Sequence, residues 1–443
     1  MATPPAFVYD LPVSLKQTLG PITLWGLGVG YVISGEYFGW NLGLPIAGSY
    51  GMLAATLVIT IMYVGFIFSY TELAVAIPKA GGPFVYATRA FGPKVGFFAG
   101  IVQVIELVFA PPAIGMAIAA YVGARFPDID VRVTAIGAYL VFTALNAWGV
   151  KQAAAFELFV TVLAVGEILV FVGIVAPHVS VEAFSRNPLP NGWTGAFAAL
   201  PFAIWFYLAI EGVANVAEEA RDPQRSIAIG FGSAMITLVV LANLVFFSAV
   251  GVAGWEAVVF KPGTTESSDA PLPLALAHVV TPGSAMYTML LGVGLLGLIA
   301  SFHGIILAAG RATMALGEAK LAPSFLGKVH PKLHTPVAAL VVNMLAGVVA
   351  ILSGKTAEII TLACFGALSM YIVSLLSLFR LRTKEPDLVR PYKALFYPYG
   401  AIVALVIAVI SLIAMVVYNQ PIAIVFGALL VAAAIYYRVV ARS

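Results

Sequence analysis

The stretch GYVISGEYFGWN, residues 30–41, places a glutamate near the centre of an apolar segment that runs from about Leu19 to Ile46. Glycines stand at positions 28, 30, 35 and 39 of this segment, and Glu36 directly follows one of them. Glycine destabilises the middle of a helix, and a carboxylate is costly at the centre of a bilayer. A segment of membrane-spanning length that carries both features predicts a helix that is broken for a function.

The composition of the 443-residue chain is that of a membrane protein. Hydrophobic residues make up 61% of it and charged residues 10%, with a net charge of +3, whereas soluble domains carry about 25% charged residues. The start of the chain lacks the features of a signal peptide, so we expect the first apolar segment to be retained. The basic residues are spread over loops, which indicates no nucleic-acid partner, and the single Cys364 excludes a disulfide framework.

Apolar runs of membrane-spanning length predict twelve transmembrane helices, because lipid cannot satisfy the hydrogen bonds of an open backbone. The fold class is therefore an all-α polytopic membrane protein with a single domain over residues 1–443. The predicted spans lie near 20–46, 50–77, 95–124, 132–149, 152–176, 192–217, 226–252, 284–312, 334–353, 357–379, 396–418 and 420–438.

The basic residues also predict the orientation of these spans. With the N-terminus inside, the cytoplasmic segments hold all but five of the 23 lysines and arginines, as the positive-inside rule requires. The five on the outside are Arg125, Arg132, Arg186, Lys261 and Lys355. We therefore expect a multi-pass protein of the plasma (inner) membrane with both termini in the cytoplasm.

The charged residues inside the predicted spans are glutamates. We find no lysine or arginine at comparable depth, and each ionised carboxylate costs about 2.5–3.5 kcal/mol there. We expect protonation, an external cation or buried hydrogen bonds to compensate, and an interior of this sign favours cations over anions. Four of them lie well inside the spans: Glu36, Glu106, Glu167 and Glu211. Glu72 and Glu157 lie nearer the cytoplasmic ends, where snorkelling or helix capping is the simplest interpretation.

The first and sixth spans share the same weaknesses. The sixth reads WFYLAIEGVANVAEE around Glu211, with Gly212 next to the carboxylate. Spans one and six run in opposite directions, which fits two inverted five-helix repeats in which the first helix of each is discontinuous and the substrate lies at the break. The repeats are predicted over 19–177 and 191–381, with two further helices over 395–438.

Several longer strings resemble the amino acid–polyamine–organocation (APC) transporter superfamily. They are TELAVAIPKAGGPFVYATRAFGPKVGFFAG (71–100), NVAEEARDPQRSIAIG (215–230), GRATMALGEAKLAPSFLGKVHPKLHTPVAAL (310–340) and LRTKEPDLVRPYKALFYP (381–398). The resemblance covers nearly the whole chain. It implies a LeuT-like fold of ten core helices and two peripheral ones, in which helices 1 and 6 are discontinuous.

One departure from the superfamily pattern concerns the first span. The superfamily motif usually reads like IIGSGIF, with N–H groups that hold a substrate carboxylate; here Ile33, Ser34 and Gly35 lie in that motif, and Glu36 replaces its second glycine. A carboxylate substrate would meet a like charge. The string SGEYFGWN instead resembles the ethanolamine permease branch, whose substrates are small amines.

The resemblance implies roles for further residues. Trp205, with Phe206, corresponds to the aromatic gate, although a packing role for the tryptophan is the alternative. The carbonyls of Tyr207, Leu208 and Ala209 are candidate cation ligands. The carboxylate of Glu106 is a further candidate to bind an amine substrate. Some superfamily members carry a lysine on the fifth helix that acts in place of sodium, but Ala164 occupies that position here. Glu211, Glu167 and His303 are the proton-coupling candidates, and each has a structural polar contact as its alternative.

The function predicted from these features is secondary active import of a small cationic amine, ethanolamine first, by alternating access with proton coupling. The alternative is an amino acid or polyamine permease of the same superfamily. A phosphate-binding loop of the GxxxxGK[ST] type is absent from the sequence, which disfavours direct ATP drive, and no metalloprotease motif supports an enzyme. We expect no cofactor, metal site or catalytic residue, and either a monomer or a homodimer in the lipid bilayer.

Overall fold

The computed structural model describes residues 19–79, 81–148 and 153–440, and nearly all of its regular structure is helical. In this part of the chain, strand-like pairing is limited to two isolated bridges, Leu19 with Ala220 and Phe260 with Ser267. The predictions about the missing signal peptide and the cytoplasmic N-terminus concern residues 1–18 and lie outside the described residues.

Nine helical stretches in the described residues are long and apolar enough to cross a membrane. They lie in or include α3 (Leu44–Ala76), α5 (Pro93–Arg125), α6 (Val131–Trp148), α7 (Ala153–Val175), α11 (Pro223–Ala253), α14 (Ala285–Glu318), α16 (Thr356–Lys384), α17 (Tyr399–Tyr418) and α18 (Gln420–Val440). A helical, multi-pass membrane protein is thereby confirmed, while the count of twelve spans stays a prediction.

The remaining helices are short and include the pieces of the interrupted spans. They are α1 (Pro21–Val32), α2 (Ser34–Tyr37), α4 (Pro83–Phe91), α8 (Val181–Phe184), α9 (Thr194–Ala198), α10 (Leu200–Trp205), α12 (Trp255–Val259), α13 (Pro271–Leu276) and α15 (Val337–Ser353). Three-residue-per-turn helix covers Trp40–Gly43, Ala176–His178 and Ile210–Glu219. The helices α4, α8, α12 and α13 lie in stretches that the sequence predicted as loops.

A kink at Gly48 separates the first span from the second. Its backbone angles are φ 68° and ψ −178°, a conformation that favours glycine. A side chain at this position would also overlap the carbonyl group of Pro188. The predicted boundary between residues 46 and 50 therefore coincides with a real change of chain direction.

The helix α5 lies at the centre of the bundle, and α18 lies at its edge. In their most apolar 18-residue windows, 83% of the α5 residues are buried and only 6% of the α18 residues. Gly366 lets the backbone of α16 approach the backbone of α5 closely, because a Cβ at this position would lie 2.7 Å from the backbone nitrogen of Glu106. Glu106 therefore projects from the most enclosed of the nine membrane-length helices in the described residues.

Small residues also pack α1 against α11. A Cβ at Gly28 would lie 3.0 Å from the Ala234 side chain, and one at Gly230 would lie 2.7 Å from Leu24 Cβ. Helices in membranes associate through such close contacts between small residues. The first part of the first span is thus held by glycine contacts rather than by large interlocking side chains.

Candidate functional site

The first span is interrupted twice. Ile33 separates α1 from α2 but keeps right-handed helical angles, with φ −57° and ψ −22°. The chain leaves the helix fully at Phe38, which is extended, and at Gly39, where φ is 93°. Ser301 of α14 serves the first interruption, since its hydroxyl donates to the Tyr31 carbonyl at 2.5 Å and lies 3.4 Å from the Ser34 nitrogen. The main break therefore lies at Phe38 and Gly39, whereas Gly35, the glycine next to Glu36 at which the sequence predicted unwinding, lies inside α2.

The sixth segment is interrupted after Trp205. Residues 206–209 form a turn that ends at Ala209, whose φ of 78° is left-handed. The chain then continues as the tighter three-residue helix Ile210–Glu219, so the regular hydrogen bonding of an α-helix does not resume. Interrupted helices leave backbone carbonyl and N–H groups available to ligands. Tyr207, Leu208 and Ala209 lie within this turn, as the resemblance implied.

The two interruptions touch each other. A Cβ at Gly35 would overlap the Trp205 carbonyl oxygen, and one at Gly39 would overlap the Trp205 indole ring. The indole also packs edge-to-face on Phe38, with ring centroids 5.5 Å apart. Trp205 therefore covers the break of the first span. Its ring nitrogen has no hydrogen-bond partner among the described residues.

Aromatic rings enclose the same region on a second side. Trp40 stacks on Phe206 with ring centroids 5.9 Å apart and an interplanar angle of 9°. The Trp40 indole N–H donates to the Glu36 backbone carbonyl at 3.2 Å. The breaks are therefore lined by aromatic faces, which attract cations.

Glu36 lies at this crossing and is fully buried. Neither of its carboxylate oxygens has a hydrogen-bond partner among the residues that the structure describes. The phenol groups of Tyr37 and Tyr207 are close enough to interact with it electrostatically. A buried carboxyl group without a donor is rare in folded proteins, because its desolvation is uncompensated.

A pair of buried carboxyl groups, Glu106 and Glu211, lies near the interruption of the sixth segment. The side chains of Glu106 on α5 and Glu211 on the sixth segment lie close enough to interact electrostatically. Neither carboxylate oxygen of Glu106 has a hydrogen-bond partner among the described residues. Tyr371 of α16 donates to Glu211 at 3.2 Å, and its hydroxyl lies 2.9 Å from that of Tyr63. The structure thus joins Glu106 and Glu211, which the sequence treated separately.

Glu167 reaches the first span through a tyrosine. The Tyr37 hydroxyl lies 2.7 Å from the Glu167 carboxylate and 3.0 Å from the Ala164 carbonyl oxygen. The Tyr37 ring fits a gap on α14, because a Cβ at Gly297 would lie 2.6 Å from it. Glu167 is therefore connected to the residue that follows Glu36, rather than to the Glu106–Glu211 pair.

His303 lies apart from both groups. Its Nδ1 is 3.8 Å from a carboxylate oxygen of Glu157, a residue that the sequence suggested would snorkel or cap a helix. The snorkelling interpretation is wrong, since only 2% of the Glu157 side chain is exposed. The carboxylate is instead enclosed between α1, α7 and α14.

The expectation that interior carboxylates lack basic partners is wrong for Glu72. This side chain is 1% exposed and pairs with Arg382 at 2.6 Å and with Arg390 at 3.3 Å. It also accepts a hydrogen bond from the Ala394 N–H at 2.7 Å. Arg382 is available because α16 continues to Lys384, beyond the predicted end at residue 379.

Residues 254–284 lie between α11 and α14, outside the membrane-length helices, and are called the outer segment here. This segment contacts the break of the first span. Asn41 donates to the Ser268 carbonyl at 2.8 Å and accepts from the Gly39 N–H at 3.0 Å. The next residue, Asp269, accepts a hydrogen bond from Thr356 at 2.8 Å. Asp269 lies outside the spans, and burial raises its pKa from 3.8 to about 6, while the Thr356 hydrogen bond acts in the opposite direction.

Sequence reasoning missed two tyrosines of the site, Tyr63 and Tyr371, and the hydroxyl contact of a third, Tyr207. Tyr63 and Tyr371 bridge the second and tenth predicted spans to Glu211, and Tyr207 contacts Thr60 at 2.7 Å. The available signal was a phenol hydroxyl in the middle of a predicted span. Within the described residues, no group of three or more histidine, cysteine or acidic side chains is arranged to hold a metal ion.

Comparison with known proteins identifies the family. The family model described as amino acid permease matches residues 19–438. An uncharacterized transporter of Rhizobium meliloti (strain 1021) is 28% identical over 411 residues, which are 89% of this chain and 85% of the relative. The methylthioribose transporter of Bacillus subtilis (strain 168) is 24% identical over 425 residues, 88% of this chain and 87% of that protein.

A third relative differs in length. The chloroplastic cationic amino acid transporter 7 of Arabidopsis thaliana is 24% identical over 355 residues, 73% of this chain but only 58% of that protein. The family match spans both interruptions and nearly all the described helices. The chain therefore belongs to the amino acid permease family of the APC superfamily, and it is a membrane transporter of a small molecule rather than an enzyme.

Proposed function

We propose that the protein is a secondary active transporter that imports a small cationic amine, with ethanolamine as the first candidate, by alternating access. The single observation that carries this proposal is the fully buried Glu36 carboxylate, which has no hydrogen-bond donor among the described residues. An ammonium group would supply both the missing positive charge and up to three N–H donors. A substrate carboxylate would instead add a second negative charge.

The aromatic surroundings support the same class of substrate. Trp205, Phe206 and Phe38 would enclose an amine bound beside Glu36, with Trp205 as the gate. Cation–π contacts contribute about 0.5–2 kcal/mol each. The carbonyl groups of the 206–209 turn and the backbone of Ile33, Ser34 and Gly35 would complete the polar contacts. Glu106 is the second candidate carboxylate.

Import of a cation is favoured by the membrane potential. A potential of 100 mV contributes about 2.3 kcal/mol per charge, which corresponds to about fifty-fold accumulation. Proton coupling would add to this. The proximity of Glu106 and Glu211 supports it, because two buried carboxyl groups that interact electrostatically disfavour a state in which both are ionised. Glu211, Glu167 and His303 are the candidate carriers.

We further propose the LeuT-like arrangement for this carrier, with twelve spans, inverted repeats over 19–177 and 191–381, and two peripheral helices over 395–438. The contact between interruptions in the first and sixth segments supports it, since paired broken helices mark the substrate site in such folds. The protein would lie in the plasma (inner) membrane as a monomer or homodimer, with both termini in the cytoplasm.

The testing experiment is uptake of labelled ethanolamine by proteoliposomes, with the pH gradient, sodium gradient and membrane potential imposed separately. We expect concentrative uptake that an acidic exterior stimulates. Choline, alanine, arginine and putrescine serve as competitors, and we expect alanine to compete poorly. Passive equilibration would overturn the carrier mechanism, and a sodium requirement would overturn proton coupling.

The second candidate, an amino acid or polyamine permease, is favoured by the relatives, one of which is named as a cationic amino acid transporter. The variant Glu36→Gly distinguishes the two, because it restores the glycine of the superfamily motif. If Glu36 selects amines, this variant loses ethanolamine uptake and gains uptake of labelled alanine. Strong alanine competition in the unaltered protein would support the permease instead.

A further inference from the structure

The carboxylate of Glu157 lies between two glycines from different helices. Its Oε1 would be 2.6 Å from a Cβ at Gly30 of α1 and 3.2 Å from a Cβ at Gly304 of α14. Neither carboxylate oxygen accepts a hydrogen bond from a donor in the described part of the chain. The close packing therefore depends on two missing side chains, and it brings a buried charge against the α1 half of the first span.

Among the described residues, His303 is the side chain that could neutralise this charge as an ion-pair partner. Its ring lies between Phe142 and Phe156, at centroid distances of 6.3 and 6.4 Å, and is 12% exposed. The Asn146 amide donates to the His303 backbone carbonyl at 3.2 Å. The imidazole is thus held at the mouth of the enclosure around Glu157.

Other titratable groups on the packed helices do not replace this pair. Tyr31 of α1 packs against Gly304, and Tyr139 of α6 packs on Phe302. On α11, Arg225 is exposed in the first turn. Arg311 lies about two turns beyond His303 on α14. One proton on the pair therefore decides whether the enclosure is neutral or carries a net negative charge.

The position of the pair links this proton to motion. Gly30 is three residues before the interruption at Ile33, where Ser301 of α14 bonds the Tyr31 carbonyl. With the proton bound, a neutral enclosure can stay dry; without it, an isolated carboxylate favours water. Water can reach Glu157 if α1 moves away from α7 and α14.

We propose that Glu157 and His303 together bind one proton, and that the bound proton keeps α1 packed against α7 and α14. Loss of the proton releases α1 and opens the first span on the side of the membrane where Pro21 lies. The proposal rests on the alternating-access carrier proposed above, but not on the identity of its substrate.

The test uses a buried cysteine reporter in the full-length protein. Leu27 of α1 is 6% exposed, so Leu27→Cys in a Cys364→Ala background reacts with a maleimide when α1 moves. Because thiolate formation alone accelerates the reaction as the pH increases, the labelling rate is expressed relative to that of the same protein unfolded in SDS at each pH. In proteoliposomes, we expect this relative labelling rate to rise about tenfold as the pH increases from 5 to 9. Glu157→Gln should abolish the rise, because its carboxamide binds no proton. Glu358→Gln, an exposed glutamine substitution at the start of α16, is the matched control and should retain it.

Three outcomes would overturn the proposal: a pH-independent labelling rate, a rise that persists in Glu157→Gln, or a rise that Glu167→Gln removes instead. Ethanolamine uptake, measured in parallel, separates this site from the proposed function. Ethanolamine uptake without a pH-dependent rise in labelling would overturn only the proton site. A rise in labelling that Glu157→Gln removes, in a protein that does not transport ethanolamine, would overturn only the substrate assignment.

Discussion

Glu72 and Glu36 are equally buried and have opposite surroundings. Glu72 is 1% exposed and has two arginines and a backbone N–H around it, whereas Glu36 is 0% exposed and has no donor among the described residues. Burial alone therefore does not identify a functional carboxylate. The difference lies in whether the chain itself supplies the compensating charge. Glu72 has the surroundings of a structural group, and Glu36 has those of a group that is compensated by a bound ligand.

The largest expected effect comes from breaking the compensated site. Arg382→Met leaves part of the Glu72 charge without its bidentate partner, whose two bonds are 2.8 and 2.6 Å long. We expect a loss of about 3 kcal/mol in the free energy of unfolding, because one member of a buried pair remains uncompensated. The measurement is thermal unfolding of the purified protein in detergent.

Arg89→Met is the control for that variant. Arg89 pairs with Glu385 at 2.6 Å, but the two side chains are 39% and 27% exposed. Removing an exposed pair should cost about 1 kcal/mol or less. Equal losses in the two variants would show that the buried position of Glu72 gives its pair no special weight.

The next effect comes from neutralising the uncompensated site. Glu36→Gln should weaken ethanolamine binding about thirty-fold, equivalent to about 2 kcal/mol for a charge-assisted hydrogen bond. It should not lower the unfolding temperature, since the native carboxylate has no partner to lose. Binding is measured by scintillation proximity and stability by thermal unfolding. A variant that binds normally but unfolds early would assign Glu36 a structural role like that of Glu72.

The smallest effect concerns a buried acid with a neutral partner. Because burial raises the pKa of Asp269 to about 6, the folded protein holds this proton more tightly than the unfolded chain. The contribution of this proton to the free energy of unfolding is therefore fully present below about pH 4. It is lost as the pH rises through 6, and the loss is complete above about pH 7. We expect the unfolding temperature to decrease by up to about 3 °C over this range, because the rise in pKa from 3.8 to about 6 corresponds to at most about 3 kcal/mol.

Asp269→Asn serves as the comparison, because the amide keeps the hydrogen-bond acceptor for Thr356 and does not titrate. The decrease between pH 4 and 7 should disappear in this variant. An unchanged pH profile would mean that another group of the outer segment is responsible.

The sequence predicts those features that depend on local pattern. The apolar run at 95–124 and the helix Pro93–Arg125 agree within two residues at the start and one at the end, because lipid enforces helix along the whole run. The glycines around Glu36 likewise indicated where the first span is weak. Local backbone preference was sufficient in both cases.

Contacts between distant residues were not predictable in this way. Glu72 and Arg382 are 310 positions apart, and no local pattern connects them. The proximity of Glu106 to Glu211, and the position of Glu157 between two glycines, depend on how five helical elements pack. A single sequence states which side chains are buried far more readily than which of them meet.

The bond from Asn41 to Ser268 has a practical consequence. Because Asn41 also accepts from the Gly39 N–H, a displacement of the first-span break must strain or break its link to the outer segment. Thr265 is exposed on the same segment, three residues before Ser268. A fluorescent dye attached to a cysteine at this position would therefore report displacement of the first-span break as a change in its emission.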